Sequence, residues 1–175
     1  MHGDFVQSQA AHDDVPSGMS HLVVVADTDL PTDAFRRAVV EDDPAWIGGR
    51  MPDAAAPAGM SRHLTGLGLH IVDHSGALLR KAAFVDIGPL RSVGDGFEVE
   101  IGWCAATLAP LFPVFAGRLA VAEGQLRIEG WYAPPGGIVG RVADRMLLNL
   151  AARGTARWLL AALADVVRSR DVRVA

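Results

Sequence analysis

The spacing of hydrophobic positions changes along the chain, and each change marks an element. His21–Ala26 (HLVVVA) is short and β-branched, which predicts a strand. Between Pro31 and Glu41, Ala34, Phe35, Ala38 and Val39 recur at i, i+1, i+4 and i+5, a helical stripe. Pro31 suits its first turn, Asp29 or Thr32 could cap it, and Pro44 stops it. Trp46 and Ile47 are expected to pack back on the sheet. The segment 48–61 (GGRMPDAAAPAGMS) has no period and reads as a mobile loop.

Alternation returns at His63–Val72, where Thr65, Leu67, Leu69 and Ile71 face one way and Gly66, Gly68 and His70 the other. Ser75-Gly76 turns the chain into a strand over Leu78–Ile87. Gly94-Asp95-Gly96 is a hairpin signal, and the strand after it, Phe97–Ala106, places Phe97, Val99, Ile101 and Trp103 inward with Glu98 and Glu100 outward. A second hairpin joins Phe112–Ala122 to Gln125–Tyr132 around Glu123-Gly124, and Pro134-Pro135-Gly136-Gly137 ends the sheet.

From Val139 to about Arg168 the chain has no Pro, one Gly, and many Ala, Leu and Arg, which predicts a long helix. Arg145, Asn149, Arg153 and Arg157 form one polar stripe, expected to face water. Leu147, Leu148, Ala151, Gly154, Trp158, Ala161 and Ala162 are expected to face the sheet. Hairpin-linked strands with helices on one side define an α+β fold. About six twisted strands would curl around the last helix, an arrangement that often leaves a cavity between the two.

Composition narrows the class. The 175 residues suit one domain, read as 21–175 behind a polar, aperiodic tail at 1–20. Half the residues are hydrophobic, enough for a core without staples. A net charge of −4 argues against a nucleic-acid partner and against binding to anionic membranes. The single cysteine, Cys104, excludes an internal disulfide and a Cys-rich zinc site. No secretion signal is evident in the first twenty residues and no apolar run is long enough to span a membrane, so the expected location is the cytoplasm.

Candidate chemistry is sparse. His70 and His74 have H-x-x-x-H spacing but bracket a strand end and a turn, so they do not share a helical face and no metal site is expected. His63 is read as a surface residue ahead of its strand. Gly136-Gly137-Ile138-Val139-Gly140 lacks the Lys-Ser/Thr of a phosphate loop and reads as a tight turn; no cofactor is implied. The serines lack a G-x-S-x-G context. Cys104 faces away from Trp103 with no basic neighbour in sequence to activate it. Trp103 and Trp158 lie on inward faces, as core, cavity lining or both. Gly154 in mid-helix implies close approach of a strand or a ligand. Arg80 and Lys81 point to opposite faces of a strand, so one could reach a cavity and meet an anionic group. Asp86, on the Arg80 face, is too far along the strand to pair with it, and Asp144 favours the start of the long helix.

The residues Arg80-Lys81, Trp103, Leu111-Phe112-Pro113, Gly130-Trp131-Tyr132-Ala133-Pro134-Pro135-Gly136, Gly140 and Asp144, within Leu79–Val167, resemble those of the SRPBCC superfamily (START/birch-pollen-allergen-like, helix-grip), in particular a branch of actinobacterial polyketide cyclase-like proteins. Leu22–Trp46 resembles the superfamily's opening strand and two short helices. The resemblance implies a curved antiparallel sheet wrapped on a long C-terminal helix, with a deep cavity between. The expected function is binding of a small hydrophobic ligand such as a lipid, isoprenoid or polyketide, with Trp103, Phe115, Leu147, Gly154 and Trp158 shaping the cavity and Arg80 as an anchor. One alternative is a polyketide cyclase or dehydratase, which would need inward ionisable groups. Another is an interaction module that uses loop 48–61 or the tail.

Overall fold

A computed structural model describes residues 19–41, 47, 49–52, 56–69, 79–106, 114–133 and 143–174. Strand β1 (Ser20–Asp27) opens the chain and buries alternate residues, Leu22 and Val24 among them. Helix α1 (Thr32–Arg36) follows, with Pro31 as its N-cap residue, and runs directly into one wide π-type turn, Arg37–Glu41. The helical stripe is confirmed, since Ala34, Phe35, Ala38 and Val39 are all buried. The described residues form one short helix after β1 where two were expected, because its buried stripe runs on unbroken through the π-type turn. Ile47 is buried, while Trp46 lies outside the described residues.

The remaining strands are β2 (Gly49–Arg50), β3 (Ser61–Leu69), β4 (Leu79–Val93), β5 (Gly96–Ala105), β6 (Val114–Ala122) and β7 (Gln125–Ala133). They form one curved antiparallel sheet of seven strands, ordered β1-β7-β6-β5-β4-β3-β2. β1 therefore crosses over to pair with β7, and every other neighbour is a sequence neighbour. Both expected hairpins form, and Gly94 and Gly124 adopt the positive φ that their tight turns demand. β4 is longer than expected. Gly88-Pro89, which suggests a strand end, instead sits in a register shift between Ile87 and Leu90. A bulge tolerates a residue with no N–H to give to the ladder.

Helix α2 (Ala143–Val174) lies over one face of the sheet, against β1 and β7 on one flank and β3 on the other. Its start at 139 was expected, but 139–142 lie outside the described residues. Ala152, Thr155, Ala156, Leu159, Leu160, Leu163, Ala164 and Val167 are buried, a stripe of i, i+3, i+4, i+7 spacing. Arg153 and Arg157 are exposed as expected, and Arg153 Nε donates to Asn149 Oδ1 one turn back at 2.7 Å. The inward face needs correction. Ala161 is exposed, and Gly154, Trp158 and Ala162 are only half-buried. The stripe opposite the arginines is not the buried one; the pairs Leu159-Leu160 and Leu163-Ala164 define it, more than a third of a turn away.

Candidate functional site on the inner face

Register places the inward side chains in rows that cross the sheet. One row reads His63, Val85, Trp103, Phe115, Tyr132, from β3 to β7. All five are buried, Trp103 at 2% exposure and His63 at 1%. Neighbouring strands are about 4.8 Å apart, so Trp103, Phe115 and Tyr132 form a continuous aromatic floor across β5, β6 and β7. Trp103 and Phe115 are direct cross-strand partners, their rings stacked with centroids 4.0 Å apart and planes 15° from parallel. The Phe115 ring lies along the sheet over Gly117 and Gly130; a Cβ at Gly117 would sit 2.7 Å from Phe115 Cζ. Two inward glycines thus leave the space that lets an aromatic ring lie flat.

The row carries polar atoms into an apolar interior. The Trp103 indole N–H is buried and finds no hydrogen-bond acceptor among the described residues. Leaving a buried donor unmet costs about 1–3 kcal/mol, so such a donor marks a place where an acceptor belongs. At the β3 end, His63 Nε2 lies 3.1 Å from Ser61 Oγ, and the Ser61 hydroxyl is 3.4 Å from the Ile87 carbonyl oxygen. Reading His63 as a surface residue was therefore wrong. The inward parity set by Thr65 and Leu67 extends back two more positions, into a strand that begins at Ser61.

Beside Ser61 the rim of the sheet opens into a pocket of about 500 Å³. Its wall is Arg50, the loop 56–60, Ser61, Ile87 and the Gly88-Pro89 bulge. Ser61 and Ile87 are inward positions adjacent, along their strands, to His63 and Val85 of the aromatic row. The loop expected to be a mobile connector is thus a pocket wall in its described part.

The outer face is built differently. Arg62 donates twice to Asp86, Nε to Oδ1 at 2.7 Å and Nη2 to Oδ2 at 2.8 Å, and its guanidinium lies 5.0 Å from the Phe84 ring centroid. The hydrogen bond to Asp86 holds the Arg62 guanidinium even more firmly protonated than usual. Glu98 pairs with Arg118, Glu100 with Arg91, and Glu129 with Arg127 and His21. Cys104 lies on this face, opposite to Trp103 as expected. Burial pushes its thiol above the usual range, with Arg62 opposing that shift and Asp86 adding to it. A thiol so placed is protonated near neutral pH and makes a poor nucleophile.

Trp103 and Phe115, expected to shape a cavity, are brought together as the stacked centre of the inner face. Trp158 packs against the core from the flank of α2. Gly154, one turn back along α2, is half-buried. The Leu147 and Arg80 side chains lie outside the described residues. In the β3–β4 ladder, position 80 pairs with Gly68. His70, His74 and the turn at 136–140 are likewise outside the described residues. Among the described residues, no three His, Cys, Asp or Glu side chains cluster to hold a metal, and no helix is long and apolar enough to cross a membrane.

No family model matches the chain, and no curated protein matches it. Among solved structures, it is similar to DynU16, a protein in the dynemicin biosynthetic locus, with 18% identity and a TM-score of 0.41. The match covers 87% of this chain and 48% of the other, so this chain spans about half the length of DynU16.

Proposed function

We propose that the chain binds a small, mostly apolar molecule between α2 and the inner face of the sheet, over the Trp103–Phe115 pair. The observation that carries this reading is the Trp103 indole N–H, buried in an apolar setting with no acceptor among the described residues. A ligand oxygen would supply that acceptor, and the aromatic floor would supply flat apolar contact. The resemblance to the SRPBCC superfamily supports the same location. The ligand is then a molecule with a hydrocarbon or polycyclic body and at least one carbonyl, hydroxyl or ether oxygen.

A cyclase or dehydratase would need convergent acid and base groups. His63 is one inward ionisable side chain, but Tyr132 is at the far end of the row, with three strands between β3 and β7. Binding is therefore the reading we adopt. Native mass spectrometry of the freshly purified chain tests it. The expected spectrum contains a non-covalent adduct that disappears on denaturation and is depleted in Trp103→Phe. Apo mass alone, in both proteins and after gentle purification, would overturn the reading.

A further inference from the structure

Ser61 and His63 meet where the rim pocket borders the interior. They are inward positions of β3 two residues apart, so their side chains lie on one face of the strand. Ser61 Oγ is 3.1 Å from His63 Nε2 and 3.4 Å from the Ile87 carbonyl oxygen. With the ring proton of a neutral imidazole on Nδ1, Nε2 is the nearer acceptor for the one proton of the hydroxyl. Two features hold the serine in place. The turn ahead of it closes with Met60 N–H donating to the Pro57 carbonyl at 3.0 Å, with Gly59 at a φ of 77°. The ladder beside it pairs Ser61 with Ile87. Ser61 is half-buried and lines the pocket of about 500 Å³, whereas His63 lies behind it at 1% exposure. A hydroxyl that faces a volume of small-ligand size, with an imidazole at its back, is the arrangement of an activated nucleophile.

We propose that Ser61 and His63 form a catalytic dyad that takes the acyl group of a short-chain activated ester held in the rim pocket and passes it to water. Ser61 Oγ attacks the ester carbonyl carbon as its proton moves to His63 Nε2. The bond from that carbon to the leaving oxygen breaks, and Nε2 returns the proton to the departing oxygen. Water then attacks the acyl-serine and gives a proton to Nε2. Cleavage of the acyl carbon–Oγ bond releases the carboxylic acid, and Oγ recovers the proton. Pro57, Met60, Ile87 and Pro89 supply apolar surface for the alkyl part. One strand carries both groups, so the pair forms without the G-x-S-x-G elbow that the serines of this chain lack. The dyad works at the rim and requires no ligand over Trp103.

Treating the full chain with p-nitrophenyl acetate tests the dyad. The expected result is a burst of p-nitrophenolate approaching one equivalent per chain, then slower turnover. The intact mass should rise by one acetyl group, which peptide mapping places on Ser61. Ser61→Ala, a small change at a half-buried position, should abolish both burst and adduct. His63→Gln should slow acylation about a hundredfold, the effect of removing a general base. Thermal denaturation checks that each variant is folded. Should His63→Gln fail to fold, the wild-type burst in D2O decides. It is slower than in H2O when Nε2 takes the proton during attack, and equal when the serine reacts unaided. An absent burst, or an acetyl group only on His63, Lys81, Cys104 or the N-terminus, would overturn the proposal. So would a burst that survives Ser61→Ala, a folded His63→Gln protein as fast as wild type, or equal rates in H2O and D2O.

Discussion

The two faces of the sheet handle polar groups in opposite ways. On the outer face, Arg62–Asp86, Glu98–Arg118, Glu100–Arg91 and Glu129–Arg127 satisfy one another across and along strands. On the inner face, an apolar layer under α2 contains an indole N–H with no acceptor among the described residues. A face whose polar groups are mutually paired needs nothing from outside. A face whose central donor meets no acceptor among the described residues has the polar signature of a binding surface.

The largest expected effect breaks the inner face itself. Gly117→Val would drive a side chain into the Glu129 carbonyl and against Phe115 Cζ, 2.7 Å from the new Cβ. Overpacking of this kind should cost about 3 kcal/mol or more, measured by chemical denaturation. A stability within error of wild type would mean that the Phe115 ring is not held flat on the sheet.

The outer face should be next. Arg62→Ala leaves Asp86, only 8% exposed, without its bidentate partner and is expected to cost about 2–3 kcal/mol. Replacing both, as Arg62→Met with Asp86→Leu, should recover most of that loss, because the cost comes from the stranded carboxylate and not from the missing pair. If the double variant is as unstable as the single one, mutual pairing is not what completes this face.

A smaller effect concerns Cys104. Its folded pKa is raised, so the unfolded chain loses the thiol proton first. Stability from this group is complete below the ordinary thiol value of about 8.5 and falls as pH rises from there through the folded pKa. Denaturation midpoints measured from pH 7 to 10 should decline more steeply in wild type than in Cys104→Ala. Alkylation at pH 7.5 should be slower than that of a free thiol. Identical pH slopes, or rapid alkylation, would show that burial does not govern this thiol.

The sequence carried the strand alternation of β5 accurately, and Phe97, Val99, Ile101 and Trp103 are all buried. Period-2 alternation needs no tertiary information when one face is apolar and the other carries Glu98 and Glu100. The face of α2 was harder to read. Ala, Leu and Trp surround most of its circumference, so the arginines exclude one side without locating the opposite one. The site was half legible. Trp103 and Phe115 stand out as inward aromatics, but their stacking depends on the β5–β6 register. His63 was missed because its strand was started two residues late, although Thr65 and Leu67 already fix its parity. The rim pocket joins residues 50, 56–61 and 87–89, a juxtaposition created by the β3–β4 ladder and the Gly88-Pro89 bulge and invisible to local pattern.

The same contrast can be probed at Trp103 without disturbing the fold. Trp103→Phe removes the unmet donor along with part of a ring, so the empty protein should change by no more than about 1 kcal/mol, while ligand retention falls. The most direct measurement is the indole N–H resonance of Trp103, assigned by its loss in Trp103→Phe. It should be compared in freshly purified protein and in protein stripped of small molecules by hydrophobic resin. The expected result is a downfield position in the fresh sample and an upfield shift on stripping, as the N–H loses a ligand acceptor. A resonance at the same downfield position in both samples would show that the chain supplies the acceptor itself, and it would contradict the reading of the inner face as a binding surface.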